Sequence, residues 1–146
     1  MDETPERLAG KPSWLISQLS VHVHRLVADA FSAEGARGYH YRILAALDEF
    51  GATSQIRLAQ RSNMDRSDVV AAINELAAHG FVERSPDPDD RRRNLVSLTD
   101  AGTQRLEELE KVIEGVQEDL LSPLPQDERA ALSRLMGRLL AHHRTR

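Results

Sequence analysis

Cysteine is absent from all 146 residues, aromatic side chains are few at 4% of the chain, and positive charge is in deficit, the formal net charge being −4. The first absence excludes disulfide frameworks, thiolate metal sites, thiol nucleophiles and any cysteine-based redox switch. No apolar run approaches the length of a membrane span. The opening MDETPERLAGKPS is charged and carries two prolines, with no apolar stretch behind a basic one, so no signal peptide is legible and a cytoplasmic protein is expected. A pI of about 5.9 argues by itself against a nucleic-acid partner. The distribution of charge argues otherwise. Between Asp100 and Glu128 nine acidic residues face only Arg105 and Lys111, which leaves the rest of the chain net positive.

The length suits one domain. Residues 1–12 read as a flexible tail, with Ser13 placed to cap a helix from Trp14 to Glu34. Leu15, Leu19, Leu26 and Ala30 form one stripe of that helix, and Ile16, Val23, Val27 and Phe31 widen it, so it needs more than one packing partner. Gly35 and Gly38 end it. A second helix, Tyr39 to Phe50, turns Ile43, Leu44 and Leu47 inward and stops at Gly51. Ser54 caps a short helix to Arg61 whose apolar members are Ile56, Leu58 and Ala59. Ser62 and Asn63 make a turn, and Asp65, with Asp68 three residues on, caps the next helix in a capping-box arrangement. That helix turns Val69, Ala72, Ile73 and Leu76 inward and leaves Ser67, Ala71, Asn74 and Ala78 outside. Two short helices on a tight polar turn make a helix-turn-helix.

After Gly80, the runs Phe81–Arg84 and Leu95–Leu98 have strand composition and flank a polar stretch with two prolines. This predicts a hairpin whose tip carries Arg91, Arg92 and Arg93 directly after Asp89 and Asp90, so that a neighbouring carboxylate can hold a guanidinium in place. Guanidinium groups on a projecting hairpin suit a phosphate backbone or a narrow minor groove. Thr99 then caps a long acidic helix to about Leu121, in which Leu106, Leu109, Val112, Ile113, Val116 and Leu120 make a near-heptad stripe. Pro123 and Pro125 stop it. A last helix, Gln126 to His142, carries Leu132, Leu135, Met136, Leu139 and Leu140. The terminal helices hold more apolar stripe than a small winged lobe covers, which predicts a homodimer built from both ends of the chain.

Leu76, Gly80-Phe81-Val82, Asp90-Arg91-Arg92, Thr99 and Gly102, in this order and spacing, resemble the signature of the multiple antibiotic resistance regulator (MarR) family. The resemblance implies that Arg92 is the basic wing residue entering the minor groove, that Asp90 orients a wing arginine, and that Arg91 and Arg93 serve phosphates. In the helix-turn-helix, Ser54 and Gln55 at the head of the first helix, and Arg66, Ser67 and Asn74 on the second, are the expected DNA contacts, with Asn74 able to pair with adenine. Many relatives carry a polar or basic residue where this chain has Val70 and Ala71. Sparse base readout, with DNA shape supplying specificity, is the corollary.

The only Trp and both Tyr residues fall at Trp14, Tyr39 and Tyr41, and His22, His24 and His40 gather in the same region. His22 and His24, two apart, do not share a helix face, which argues against a chelating pair. Two readings stay open. Either these rings tie the first two helices together, or Trp14, His22, Arg25, Tyr39 and His40 line a pocket for a small aromatic or carboxylate effector. Resemblance to the family supports the pocket's location between the dimerisation helices and the winged lobe, though not these residues individually. His142 and His143, adjacent at a helix end, read as solvent-facing.

The expected fold is therefore α+β, mostly α: a winged helix-turn-helix at about 39–99 between dimerisation helices at about 13–34 and 99–146, one domain in all. The expected function is sequence-specific binding of a pseudo-palindromic double-stranded operator by a homodimer, as a repressor released by an effector. A constitutive DNA-binding protein, or a helical protein-interaction module using the basic hairpin, are the alternatives. No nucleophile elbow, phosphate loop or metal-spaced triad is present, so neither catalysis nor a cofactor or metal is expected.

Overall fold

The computed structural model describes residues 3–145. Its elements run α1 (Glu6–Ala9), α2 (Pro12–Ala33), α3 (Gly38–Phe50), β1 (Thr53–Ser54), α4 (Gln55–Ser62), α5 (Arg66–Ala78), β2 (Val82–Asp87), β3 (Asp90–Leu98), α6 (Asp100–Leu121) and α7 (Gln126–Arg144). The mostly helical α+β architecture matches the expectation from the sequence. Met1 and Asp2, from the stretch expected as a tail, and Arg146, beyond α7, lie outside the described residues; α1 is a single helical turn within that stretch.

Helix α2 starts two residues earlier than expected, with Pro12 at its first position and Lys11 as the N-cap, whose side chain makes no capping bond. Ser13 lies inside the helix and is not its cap. Proline has no N–H to orphan there and its φ is already helical, so it sets the start in place of a side-chain acceptor. Two other caps form as the sequence indicates: Ser54 Oγ accepts from the Arg57 N–H at 3.3 Å, and Thr99 Oγ1 from the Gly102 N–H at 3.0 Å. Asp65 takes the N-cap position of α5, but its side chain makes no capping hydrogen bond. The charge of Asp68 in the first turn still complements the helix dipole.

The core sits where these elements converge. Phe31, Ile43, Leu44, Leu58, Val69, Ile73, Val96 and Leu109 are all less than 2% exposed, so the end of α2, all of α3 to α5, the sheet and the first half of α6 share one apolar interior. Of the apolar members of α4, Leu58 is buried and Ile56 is exposed.

The sheet has the order β1-β3-β2, antiparallel throughout. The two-residue β1, absent from the sequence reading, pairs Thr53 with Val96 and Ser54 with Leu95. It joins the head of α4 to the base of the hairpin. Strands β2 and β3 reach further than the apolar runs suggest, because cross-strand pairing satisfies the backbone through the polar stretch. Asp87 faces Asp90 across Pro88-Asp89, yet Pro86 faces Asn94. Arg91, Arg92 and Arg93 therefore lie within β3, in a break of register with no residue opposite them on β2. The arginines are not in the tip loop, as the composition suggested, but in a bulge beside it.

At the hairpin's base, Gly80 (φ +75°) ends α5, and the next carbonyl, that of Phe81, abuts α6. A Cβ on Gly102 would stand 2.0 Å from the Phe81 oxygen, so only glycine fits. Thr99 closes the junction: its hydroxyl donates to the Gly80 carbonyl at 2.6 Å and its N–H to the Phe81 carbonyl at 3.2 Å.

Candidate nucleic-acid interface and effector cleft

Helices α4 and α5 pack through Leu58, Val69 and Ile73, with Asn63 in the left-handed conformation (φ 52°) turning the chain between them. Burial of Val69, Ala72, Ile73 and Leu76 leaves Arg66, Ser67, Ala71, Asn74 and Ala78 exposed on the other face of α5, as the helical spacing predicts. Ser54 and Gln55, at the head of α4, are half-buried; the Ser54 hydroxyl is occupied as a cap.

In the wing, Asp90 organises the bulge. One carboxylate oxygen accepts from the Arg92 N–H at 3.0 Å and from Arg92 Nε at 3.2 Å; the other lies 3.3 Å from Arg93 Nε. The i to i+2 bond to the backbone is an Asx turn, which explains why Asp stands here. These contacts, led by the Arg92 backbone N–H and then its side chain, hold the Asp90 carboxyl below its ordinary pKa. The side chain of Arg92 nevertheless remains 91% exposed and that of Arg93 63%. The cations are oriented at their roots and free at their ends. A contact not foreseen from sequence ties wing to helix: Arg84 on β2 donates to Asn74 Oδ1 at 2.5 Å.

A cleft of about 1060 Å³ lies between α2 and the winged lobe, bordered by Val23, His24, Val27, Phe31, Tyr39, His40, Arg37, Arg42, Glu75 and His79 among others. Tyr39 and His40 line it. Trp14, His22 and Arg25 do not. The face of α2 on the cleft runs through 24, 27, 28 and 31, so His24 occupies the place proposed for His22, while Arg37 and Arg42 supply the cations sought in Arg25. Trp14 is more than two helical turns from the nearest lining residue of α2.

Of the rings expected to tie the first two helices together, Tyr41 does so, stacking on Phe31 with centroids 5.9 Å apart. The Tyr41 hydroxyl also donates to Glu110 of α6. Burial first, and then this bond to a carboxylate, push the Tyr41 pKa up to about 12. On the cleft's inner side His40 Nδ1 accepts from the Arg37 N–H at 3.2 Å, which leaves Nε2 to carry the proton and donate to Glu75 of α5 at 2.7 Å. His79 Nδ1 donates to the Glu75 carbonyl at 2.9 Å. A smaller cleft of about 250 Å³ shares His40, Glu75 and His79 and reaches Arg105, which donates to the Glu34 carbonyl at 2.6 Å. No local spacing marks Glu75, Arg84, Arg105 or Glu110 for this site, because the partners that place them there, His40, Asn74, Glu34 and Tyr41, lie 35, 10, 71 and 69 residues away.

The sequence model of the MarR family matches residues 39–94, the span from α3 to the arginine bulge. A probable transcriptional regulator from Pseudomonas aeruginosa superposes with a TM-score of 0.80 at 31% identity, over 91% of this chain and 99% of that one. The PcaV transcriptional regulator of Streptomyces coelicolor, solved in complex with its natural ligand, gives 0.77 at 28% identity over 97% and 98% of the two chains. The transcriptional repressor NicR of Pseudomonas putida is 30% identical over 97 residues, 66% of this chain and 61% of its own. A buried-faced recognition helix, a wing of oriented arginines, and likeness to transcriptional regulators along nearly the whole chain converge on one assignment: the chain belongs to the MarR family and is a DNA-binding transcriptional regulator.

Proposed function

We propose that the protein acts as a homodimer on a pseudo-palindromic double-stranded operator, most simply as a cytoplasmic, non-catalytic repressor without cofactor, released by a small aromatic or carboxylate effector. The observation that carries the DNA reading is the common exposure of the α5 face and of Arg91, Arg92 and Arg93, with Arg92 and Arg93 rooted on Asp90. Arg66 and Ser67 meet the major groove, Arg92 the minor groove, and Arg91 and Arg93 the phosphates. Ser54 and Gln55 stand at the head of α4 beside the backbone.

One domain serves both tasks, with residues 39–99 reading DNA, about 13–34 and 99–146 pairing two copies, and 1–12 as a tail. The apolar residues left open on α7 and on the first half of α2 support the pairing. Repression is supported by the relative NicR, itself a repressor, and effector response by PcaV, which binds a natural ligand. The cleft beside His40 offers that ligand a donor and two arginines. Because Glu75 belongs to α5, a ligand there bears directly on the reading helix. Two recognition helices matched to one helical turn lose register if they move, and about 3 kcal/mol of differential affinity weakens binding more than a hundredfold.

Fluorescence anisotropy on duplex from upstream of the gene, across a salt series, tests the DNA reading. Arg92→Ala should weaken binding and lower the salt slope by about one. An unchanged affinity and slope would assign the hairpin to a protein partner.

A further inference from the structure

The bond from Arg84 to Asn74 has a chemical consequence for which base Asn74 can read. Arg84 stands on β2, outside the set of wing arginines, and Asn74 is exposed on the open face of α5. Their contact is 2.5 Å from the guanidinium to the amide Oδ1. A guanidinium has donors only, so the amide atom that faces it has to be the oxygen. The amide is thereby fixed one way round, and its NH₂ group, with two donors, is left for the DNA.

Asparagine pairs with adenine by using both ends, accepting from N6 and donating to N7. Here the accepting end is engaged. An adenine amino group brought to the second lone pair of Oδ1 would sit against a cation that offers further donors, and like would face like. Guanine presents O6 and N7, both acceptors. The Asn74 NH₂ can donate to one and a free N–H of Arg84 to the other. We infer that Arg84 is a specificity-determining residue: by holding the amide of Asn74 it makes the pair read guanine, not adenine, at one base pair in each half of the operator. The inference rests on α5 being the element in the major groove.

Selection from randomised duplexes with the full-length protein, followed by anisotropy on single sequences, tests it. Wild type should enrich guanine at one symmetry-related position. Arg84→Met, at an exposed site, should move the guanine-to-adenine ratio at that position about tenfold toward adenine and leave the others alone. Asn74→Ala should flatten the same position. An equal loss of affinity for guanine and adenine duplexes in Arg84→Met would make Arg84 a backbone contact and overturn the inference, as would adenine enriched by wild type. Failure of the underlying reading has another signature: no sequence enriched by wild type and no change in affinity on Arg66→Ala, in which case both fall.

Discussion

The winged lobe and the terminal helices solve the problem of apolar surface in opposite ways. In the lobe, Leu44, Leu58, Ile73 and Val96 are at 0% exposure, each face covered by another element of the same chain. On α7, Leu135, Met136, Leu139 and Leu140 are between 46% and 52% exposed, and on α2 Ile16, Leu19 and Val21 are between 53% and 56% exposed. The spacing of apolar residues is equally regular in both regions. Periodicity therefore marks which face of a helix will be covered, but not by which molecule. Open apolar side chains gathered on two helices, unlike ones scattered singly, call for a covering partner.

The sharpest break in that comparison comes from truncating one leucine in each region. Leu44→Ala should cost about 2–5 kcal/mol through its cavity, and the loss of melting temperature should be the same at every protein concentration. Leu139→Ala should lower the melting temperature most in dilute solution and shift sedimentation toward the monomer, because its stabilisation is inseparable from association. Equal, concentration-independent losses would remove the distinction between the regions and the homodimer with it.

Tyr41 tests the seam between them, since it stacks on Phe31 in the core and donates to Glu110 on α6. Its pKa is raised from 10.0 to about 12, so the folded chain keeps a proton that the unfolded chain releases. The sign follows: the contribution is whole below pH 10 and declines as pH climbs toward 12. The urea midpoint of wild type should fall across that window more steeply than that of Tyr41→Phe, and a tyrosinate absorbance step near pH 12 should vanish in the variant. Parallel pH dependences would disconnect Tyr41 from the seam.

The smallest effect belongs to Ser62, buried at the end of α4, whose hydroxyl has no hydrogen-bond partner among the described residues. Ser62→Ala should raise stability by up to about 1 kcal/mol, through relief of desolvation and better helix propensity. A destabilised variant in urea titration would give the hydroxyl a role in the lobe.

The parts of this molecule legible in its sequence are those decided within a turn or two of chain. Ser54 and Thr99 cap because their acceptors lie three residues from the N–H they serve, and the inward set of α5 follows from its own spacing. Where the decision is made across the fold, the sequence reading drifts. Thr53-Ser54 is a strand only because Val96 and Leu95 lie beside it. Nothing in the composition of the arginine run shows that β2 and β3 continue past it toward the tip. Helix phase alone does not say where the cleft will be, so it does not separate His22 from His24, the one that lines it. The contact of Asn74 with Arg84, ten residues away on β2, leaves no mark in the spacing of α5.

The junction at Gly80, Thr99 and Gly102 carries one more consequence. The hydroxyl of Thr99 reaches the Gly80 carbonyl across nineteen residues, and the glycine at 102 lets α6 sit flush on the Phe81 carbonyl. Both ends of the hairpin are thus clasped together at its root, by atoms that take no part in its far end. A wing held this way is an exchangeable cassette. Its length and charge can be rewritten between Ser85 and Asn94, outside the buried Val82 and Val96 and the contact of Arg84 with Asn74, while the handle it is mounted on keeps its shape. New operators then become reachable by grafting one segment, without redesigning the body that carries it.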